Sequence, residues 1–401
     1  RDLCVEVRRK AAAKTGIPET HIAVSATHSH TGPEYYGHLY EFLANKNSAD
    51  NTSYPARLID GIVTAIAEAS ETAQPILVNT GSAQQTVPVS FNRRFVMKDV
   101  SVKTWQRLDN PHVVRAAGPI DPEIGLALIQ SAADQQPLAL LSNFALHLDT
   151  VGGLKWSADY PYFIEQGVRE ELGKSVISVF GSGACGDINH VDPAKKERNK
   201  TEFIGTSLAG TIRAALPGLK AVDEPTLRIR CATVDLPIQD VADAHLQQAR
   251  ELIPIARAGE KTDFFALVEA TKAAILDQLR NEPPRLDSTE YIRLGLSHEW
   301  GGIGDSLPVD VMTVTMGSEL ALVFLPGEVF VELGQAIKQA SPCEHTLVIE
   351  LCNCVEMIYI PTRAAYAGGS YEITNSMVKP GSGEMLVETA LRLLRESASS
   401  L

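Results

Sequence analysis

The chain has 401 residues, 44% of them apolar, and a formal net charge of −13. That length and apolar content suit a large α/β domain with a sizeable buried core. The acidic balance, with no clustered basic run, excludes nucleic acid as a partner, and no stretch approaches the ~20 apolar residues that span a bilayer.

The chain opens on Arg1-Asp2-Leu3, already inside a helical pattern and without Met or a signal peptide. A processed, truncated or incomplete chain looks like this, so an exported and a cytoplasmic location both stay open, as does the oligomeric state. Residues about 2–15 read as an amphipathic helix closed by Gly16, and Pro18 leads into an apolar run, 22–26, that reads as a buried strand. Tyr35 to Tyr54 reads as a polar, aromatic loop, and about 55–69 as a second helix with Pro55 in its first turn. Strand-like runs follow near 75–79 and 85–91, then an irregular stretch over 92–122 of a length that is often functional. Strands are expected over 138–145, 176–180, 226–236, 309–316, 319–325 and 346–351. Helices are expected near 161–172 and 202–215, as a charged, Ala-rich pair over 239–281, from Glu328 to about 339, and over 383–396.

Strands alternating with helices throughout give an α/β fold, a mixed or mostly parallel sheet layered with helices. No repeat or low-complexity segment divides the chain, so 1–401 reads as one domain, with 239–281 as a helical insertion or lobe. The six cysteines, Cys4, Cys185, Cys231, Cys343, Cys352 and Cys354, are irregularly spaced and complete no zinc knuckle. Most read as reduced, half-buried thiols, with one or two disulfides open to an exported chain.

The segment Ala26-Thr27-His28-Ser29-His30-Thr31-Gly32-Pro33 places two imidazoles at the mouth of the first predicted strand. On an extended backbone, residues two apart point the same way, so both rings can face one cavity. His147 and Glu328 also sit just past predicted strands, and in open α/β sheets sites gather beyond the carboxyl ends of strands. Two imidazoles and one carboxylate form a common ligand set for catalytic zinc, because they leave room for water. Taken singly, His147 reads as a core or capping histidine and Glu328 as a carboxylate at a helix N-terminus. Their shared placement favours a joint metal site beyond the strand ends.

Six blocks in order give the chain a resemblance to the neutral ceramidases and their bacterial relatives, over about residues 2–396. Thr27-His28-Ser29-His30-Thr31-Gly32-Pro33 resembles that family's His-Thr-His-Ser-Gly-Pro block, and Phe91-Asn92-Arg93-Arg94 its Asn-Arg-Ser block. Asn143-Phe144-Ala145-Leu146-His147 is similar to Asn-Phe-Ala-x-His, and Ser157-Ala158-Asp159-Tyr160-Pro161 to Ser-Gly-Asp-Tyr-Pro. Leu325-Pro326-Gly327-Glu328 resembles Leu-Pro-Gly-Glu, and Tyr359-Ile360-Pro361-Thr362 with Tyr366 and Tyr371-Glu372 resembles Tyr-x-Thr-Thr…Tyr…Tyr-Glu. The resemblance implies a ceramidase-like catalytic domain with a zinc site made by His28, His147, Glu328 and Tyr359. It implies that His30 and Arg93 contact the scissile group and its oxygen, and that Tyr371 helps line the substrate site.

The chain departs from the family in one block. Gly186-Asp187-Ile188-Asn189-His190 stands where the family has Gly-Asp-Val-Ser-Pro-Asn, and Asn189 takes the place of the catalytic serine. An amide is no nucleophile, but it can donate a hydrogen bond to an oxyanion. The expected nucleophile is therefore a zinc-activated water. His30 is expected to shuttle the proton to the leaving group. Arg93 and Asn189 are expected to hold the oxyanion, helped by backbone N–H groups of 183–186, with Gly183 as a substrate contact. Asp187 or Asp159 is expected to orient a histidine ligand.

The chain also stops after the last predicted helix, where ceramide-cleaving relatives continue into a β-sandwich. The expectation is therefore a zinc hydrolase of N-acyl amides without that C-terminal domain, acting on a small N-acylated or ester substrate other than ceramide. A metal-dependent esterase or lactonase, or a binding protein that lost turnover with the serine, is the alternative. A serine esterase is disfavoured because Gly181-Ser182-Gly183-Ala184-Cys185-Gly186 lacks Gly-x-Ser-x-Gly, and a phosphate cradle because it lacks the Gly-Lys ending.

Overall fold

The computed structural model describes residues 1–33, 54–223, 226–286 and 301–398. In chain order the elements are α1 (Asp2–Thr15), α2 (Tyr54–Glu71), β1 (Ile76–Gln84), β2 (Phe91–Asn92), β3 (Arg94–Met97), β4 (Val102–Thr104), β5 (Val113–Ala116), β6 (Glu123–Ser131), β7 (Pro137–Phe144), α3 (Pro161–Leu172), β8 (Ile177–Ser182), β9 (Ile188–Asn189) and α4 (Thr201–Ala215). They continue with β10 (Lys220–Ala221), β11 (Leu227–Pro237), α5 (Asp243–Arg257), α6 (Phe264–Arg280), β12 (Ser306–Met316), β13 (Leu320–Phe324), β14 (Glu328–Val329), α7 (Val331–Ala340), β15 (His345–Ile349), β16 (Tyr359–Ile360), α8 (Tyr371–Asn375) and α9 (Ser382–Ala398). The predicted loop from Tyr35 to Tyr54 lies outside the described residues except for Tyr54, which opens α2.

Two mixed sheets carry the core. One has the order β10-β1-β6-β7-β8, the other β11-β12-β13-β15. Among the described residues of these two sheets only the β7–β8 and β13–β15 pairs are parallel, so the sheets are mixed rather than mostly parallel. Connection length explains this. Residues 132–136 and 317–319 are too few for a crossover, so β6–β7 and β12–β13 close as antiparallel hairpins. The helices α3 and α7 lie in the longer connections that make each parallel pair possible.

The sheets face each other. Leu347 of β15 packs over Gly125 of β6, and Ile349 packs over Gly181 of β8. The helices α3 and α4 cover the outer face of the first sheet, with Ile164, Val168, Ile204, Leu208 and Ile212 buried against it. The helices α7 and α9 cover the second, with α5 and α6 packed at its side. Each fully buried aliphatic side chain in these layers contributes ~2 kcal/mol.

Several expected elements differ. The run 22–26 forms no strand; its one bridge joins Ser25 to Cys352. The partner segment cannot extend a ladder, because Leu351 and Asn353 take left-handed backbones with φ of 58° and 62°. The stretch 92–122 contains a three-stranded antiparallel sheet, β4-β3-β5, whose strands are too short to carry a readable alternation. The strand β6, unforeseen in sequence, is buried between β1 and β7. Glu328 opens no helix. It pairs in parallel with Tyr359 in a two-strand piece, and α7 begins three residues later. The six cysteines are all free thiols.

Candidate active site

Four strand ends meet at one edge of the two-sheet core. β7 stops at Phe144, β8 at Ser182, β13 at Phe324 and β15 at Ile349. The Glu350 N–H donates to Ser182 O at 3.0 Å, tying the β15 end to the β8 end across the sheets. The segments leaving these ends carry His147, the 183–187 loop, Glu328 and Glu350.

His147 lies three residues past β7 and is fully buried. Its Nδ1 is 2.8 Å from Cys185 O. A carbonyl only accepts, so Nδ1 carries the proton and Nε2 presents a lone pair. Burial, and next the charge of Arg93, hold its pKa down to about 4, which keeps the ring neutral at pH 7. That lone pair faces Glu328 Oε2 at 3.2 Å, and the same oxygen is 3.4 Å from His28 Nε2. Burial opposes ionisation of Glu328, but His28 and His147 beside it hold its carboxyl well below the usual range.

His28 reaches this point from the other end of the chain. The Ala26 N–H donates to Leu351 O, the Asn353 N–H to Val24 O, and the His30 N–H to Leu148 O. The His28 backbone is left-handed, with φ of 71°, a strained conformation that turns its ring inward. His30 Nε2 is 3.2 Å from His28 Nε2, and His30 is the most exposed ring of the three. Its pKa is lowered by partial burial and then by His28.

These donors fit a small divalent cation. His147 Nε2 and Glu328 Oε2 are buried atoms without a hydrogen bond. A neutral lone pair and a carboxylate oxygen cannot satisfy each other at that distance. Separations of 3.2–3.4 Å match the edges of a tetrahedron with zinc–ligand bonds of ~2.0–2.1 Å. His28, His30 and His147 also offer ring nitrogens that all lie within 4.8 Å of one another.

The remaining predicted residues surround this cluster. Arg93, buried, donates from Nε to Glu372 Oε1 at 2.7 Å and from Nη2 to Gly186 O and Tyr359 Oη, both at 2.9 Å. Tyr359 lies opposite Glu328 in the β14–β16 pair, so Arg93 fixes a phenol beside the carboxylate. Tyr371 is half-buried with its ring 5.9 Å from that of Tyr359. Asn189 is buried in β9 opposite Phe91, and its Oδ1 accepts from the Val191 N–H at 3.1 Å. Among the described residues no hydrogen bond engages its Nδ2. Gly183 meets a packing need: its N–H donates to Phe144 O at 2.8 Å, and a Cβ there would sit 2.8 Å from Ala145 N. Gly186 lets the same loop touch β14, where a Cβ would come within 2.6 Å of Glu328 O.

Neither aspartate expected to orient a ligand does so. Asp159 binds Thr150, Val151 and Tyr160, and Asp187 binds Asn92 Nδ2 and the Val331 N–H. The Cys185 carbonyl takes that role for His147.

Sequence reasoning missed three acids that complete the site. Glu372 holds Arg93 and Arg94 together; its place beside Tyr371 was the available signal. Glu350 accepts from the Val329 N–H at 2.7 Å and from the Cys185 thiol at 3.0 Å, and burial pushes its carboxyl well above the usual range. Burial pushes the Cys185 thiol up as well, which makes it a structural group rather than a nucleophile. Asp149, two residues past His147, accepts from Nδ1 of the buried His190 at 2.8 Å.

No protein-family model matches the chain, and no curated protein matches it significantly. Solved structures do match. Neutral ceramidase from Pseudomonas aeruginosa superposes with a TM-score of 0.66 at 18% identity, covering 100% of this chain. A ceramidase complexed with C2 superposes at 0.68, with the same identity and coverage. The fold is that of neutral ceramidase. The chain spans 64% and 66% of the lengths of those two ceramidase chains. Within the ceramidase fold, the blocks at 143–147, 157–161 and 325–328 fall on segments that leave the converging strand ends, while those at 27–33 and 91–94 reach the site from outside them.

Asp187 gives this region a pH dependence. Burial raises its carboxyl from 3.8 to about 6, against the hydrogen bonds from Val331 and Asn92. The unfolded chain releases this proton near pH 3.8, and the folded chain near 6. The associated stability is therefore fully present below pH 3.8 and lost as pH rises through about 6, a change of up to about 3 kcal/mol. A carboxyl-carbon NMR titration should place the Asp187 midpoint near 6; a midpoint near 3.8 would overturn the reading.

Proposed function

We propose that the chain is a zinc-dependent hydrolase of N-acyl amides. One observation carries this: a neutral imidazole lone pair and a carboxylate oxygen, both buried and without a hydrogen bond, face each other at 3.2 Å beside a second imidazole. The name ceramidase, carried by both similar structures, supports an N-acyl amide as the substrate class. On this reading α5 and α6 are an insertion on one catalytic unit.

His28, His147 and Glu328 would hold the ion, with the Tyr359 phenol next to Glu328 as a further oxygen donor. Zinc held there supplies Lewis acidity toward a carbonyl oxygen and acidifies water so that hydrolysis runs near neutral pH. The Cys185 carbonyl fixes the tautomer of His147, and Glu350 holds the backbone next to Glu328. Arg93 orients Tyr359 and keeps positive charge at the site. His30, on the solvent side, moves the proton to the departing amine through its ring nitrogen. Asn189 Nδ2 donates to the oxygen that gains charge.

Metal analysis of the purified protein, joined to a panel of N-acyl amines and matching esters, tests this. The expected result is one zinc per chain and amide turnover that chelation removes and zinc restores. Absence of stoichiometric divalent metal, or metal without amide turnover, would overturn it. Asn189→Ala should lower kcat ~10²–10³-fold with metal content unchanged and no covalent acyl-enzyme. An acyl adduct trapped on any side chain would remove the water mechanism.

A further inference from the structure

Trp105 follows β4 with a left-handed backbone, φ 58°, which is unfavourable for a bulky residue. Its backbone N–H donates to Arg93 O at 2.8 Å, so the strained turn ties residue 105 to the backbone of the buried arginine. The ring stays 46% exposed while packing on Tyr371 at 4.7 Å between centroids. From a different part of the chain, Phe264 opens α6, 53% exposed, and stacks on the same Tyr371 at 6.0 Å with planes 16° apart. Asp263 fixes that position by capping the helix, its side chain accepting from the Ala266 N–H at 2.9 Å. Tyr371 in turn meets Tyr359, whose hydroxyl is held by Arg93. A continuous row of rings thus runs from the buried arginine to solvent.

Scattered exposed aromatics need no explanation, but these converge on one ring from β4 and α6. Burial does not account for them, since both outer rings remain about half exposed, and one is bought with backbone strain. Flat rings at these separations prefer to receive another flat ring, face-on or edge-on, at 4.5–7 Å.

We propose that Trp105, Tyr371 and Phe264 form a subsite that binds a planar aromatic substituent of the substrate. The proposal rests on the hydrolase reading for what lies at the inner end of the row. It makes α6, otherwise without assigned chemistry, the element that sets specificity.

Calorimetric titration of the full chain tests it with product-like probes, because binding needs no turnover. The probes are phenylbutyrate and phenethylamine, for an aryl group on the acyl or the amine side, each against its linear alkyl counterpart of equal carbon number. One aryl probe should bind ~10-fold tighter than its counterpart, and which one does so identifies the side. Trp105→Ala and Phe264→Ala should each abolish that preference, while Trp105→Phe retains most of it. Equal binding of aryl and alkyl probes by the unaltered chain would overturn the proposal. So would a preference that survives both alanine variants. An aryl preference lost in the variants, in a protein without amide turnover, would support the subsite and remove the hydrolase reading. Amide turnover without aryl preference would do the reverse.

Discussion

On the proposed metal-site reading, replacing His147 with alanine is expected to abolish metal binding and lower kcat/KM by at least ~10³-fold, about 4 kcal/mol of barrier. The ring is fully buried, its Nδ1 is committed to Cys185 O, and its Nε2 faces Glu328 Oε2 at 3.2 Å without a hydrogen bond. Glu328→Gln should act in the same direction while conserving volume, because the amide lacks the negative charge that the carboxylate brings to a cation. Metal content and melting temperature, with and without chelator, check both variants. The unaltered chain should melt lower after chelation, since an ion that binds only the folded form stabilises it by mass action. The variants should show no such shift. Stoichiometric metal retained by His147→Ala would remove His147 from the ligand set.

Glu372→Ala is expected to destabilise the fold by about 3–5 kcal/mol. Its carboxylate is fully buried and sits between two arginines, 2.7 Å from Arg93 Nε and 3.4 Å from Arg94 Nε, and it also accepts from Thr104 Oγ1 at 2.7 Å. Removing it strands two guanidinium groups in the interior, where an unpaired charge is costly. The damage should extend to function, because Arg93 would lose the anchor that aims it at Tyr359. Urea unfolding measures the first effect. Combining Glu372→Ala with Arg93→Met should recover part of the loss, as the stranded charge is removed along with its partner. A loss below about 1 kcal/mol in the single variant would mean that the arginines find other partners.

Local periodicity was legible where an element answers mainly to its neighbours in sequence. The helices over 2–15 and 161–172 appear where the spacing puts them, the second with Pro161 in its first turn. The placement of His147 beyond a strand was legible for the same reason. Glu328 was legible as a residue but not in its setting: the Leu-Pro-Gly-Glu turn suggested a helix start, and the structure pairs Glu328 with Tyr359, 31 positions later. His28 was found through a predicted strand that does not form. Its segment is shaped instead by the left-handed residues of the 351–353 loop, which lie more than 300 positions away.

The sequence by itself determined which side chains are able to bear the proposed chemistry and that the chain mixes strands with helices, because those properties belong to residue types and to contacts a few positions apart; the expected alternation fails over Ile76–Phe144, where seven strands follow one another. Tertiary structure alone decided that two mixed sheets face each other, and that His28 and His147, distant in sequence, each come within 3.4 Å of Glu328. It also decided that Arg93 serves Tyr359 and Glu372 first, and that Trp105 and Phe264 meet on Tyr371. Each of these depends on which strand pairs with which, and that choice is made by burying apolar surface over the whole chain.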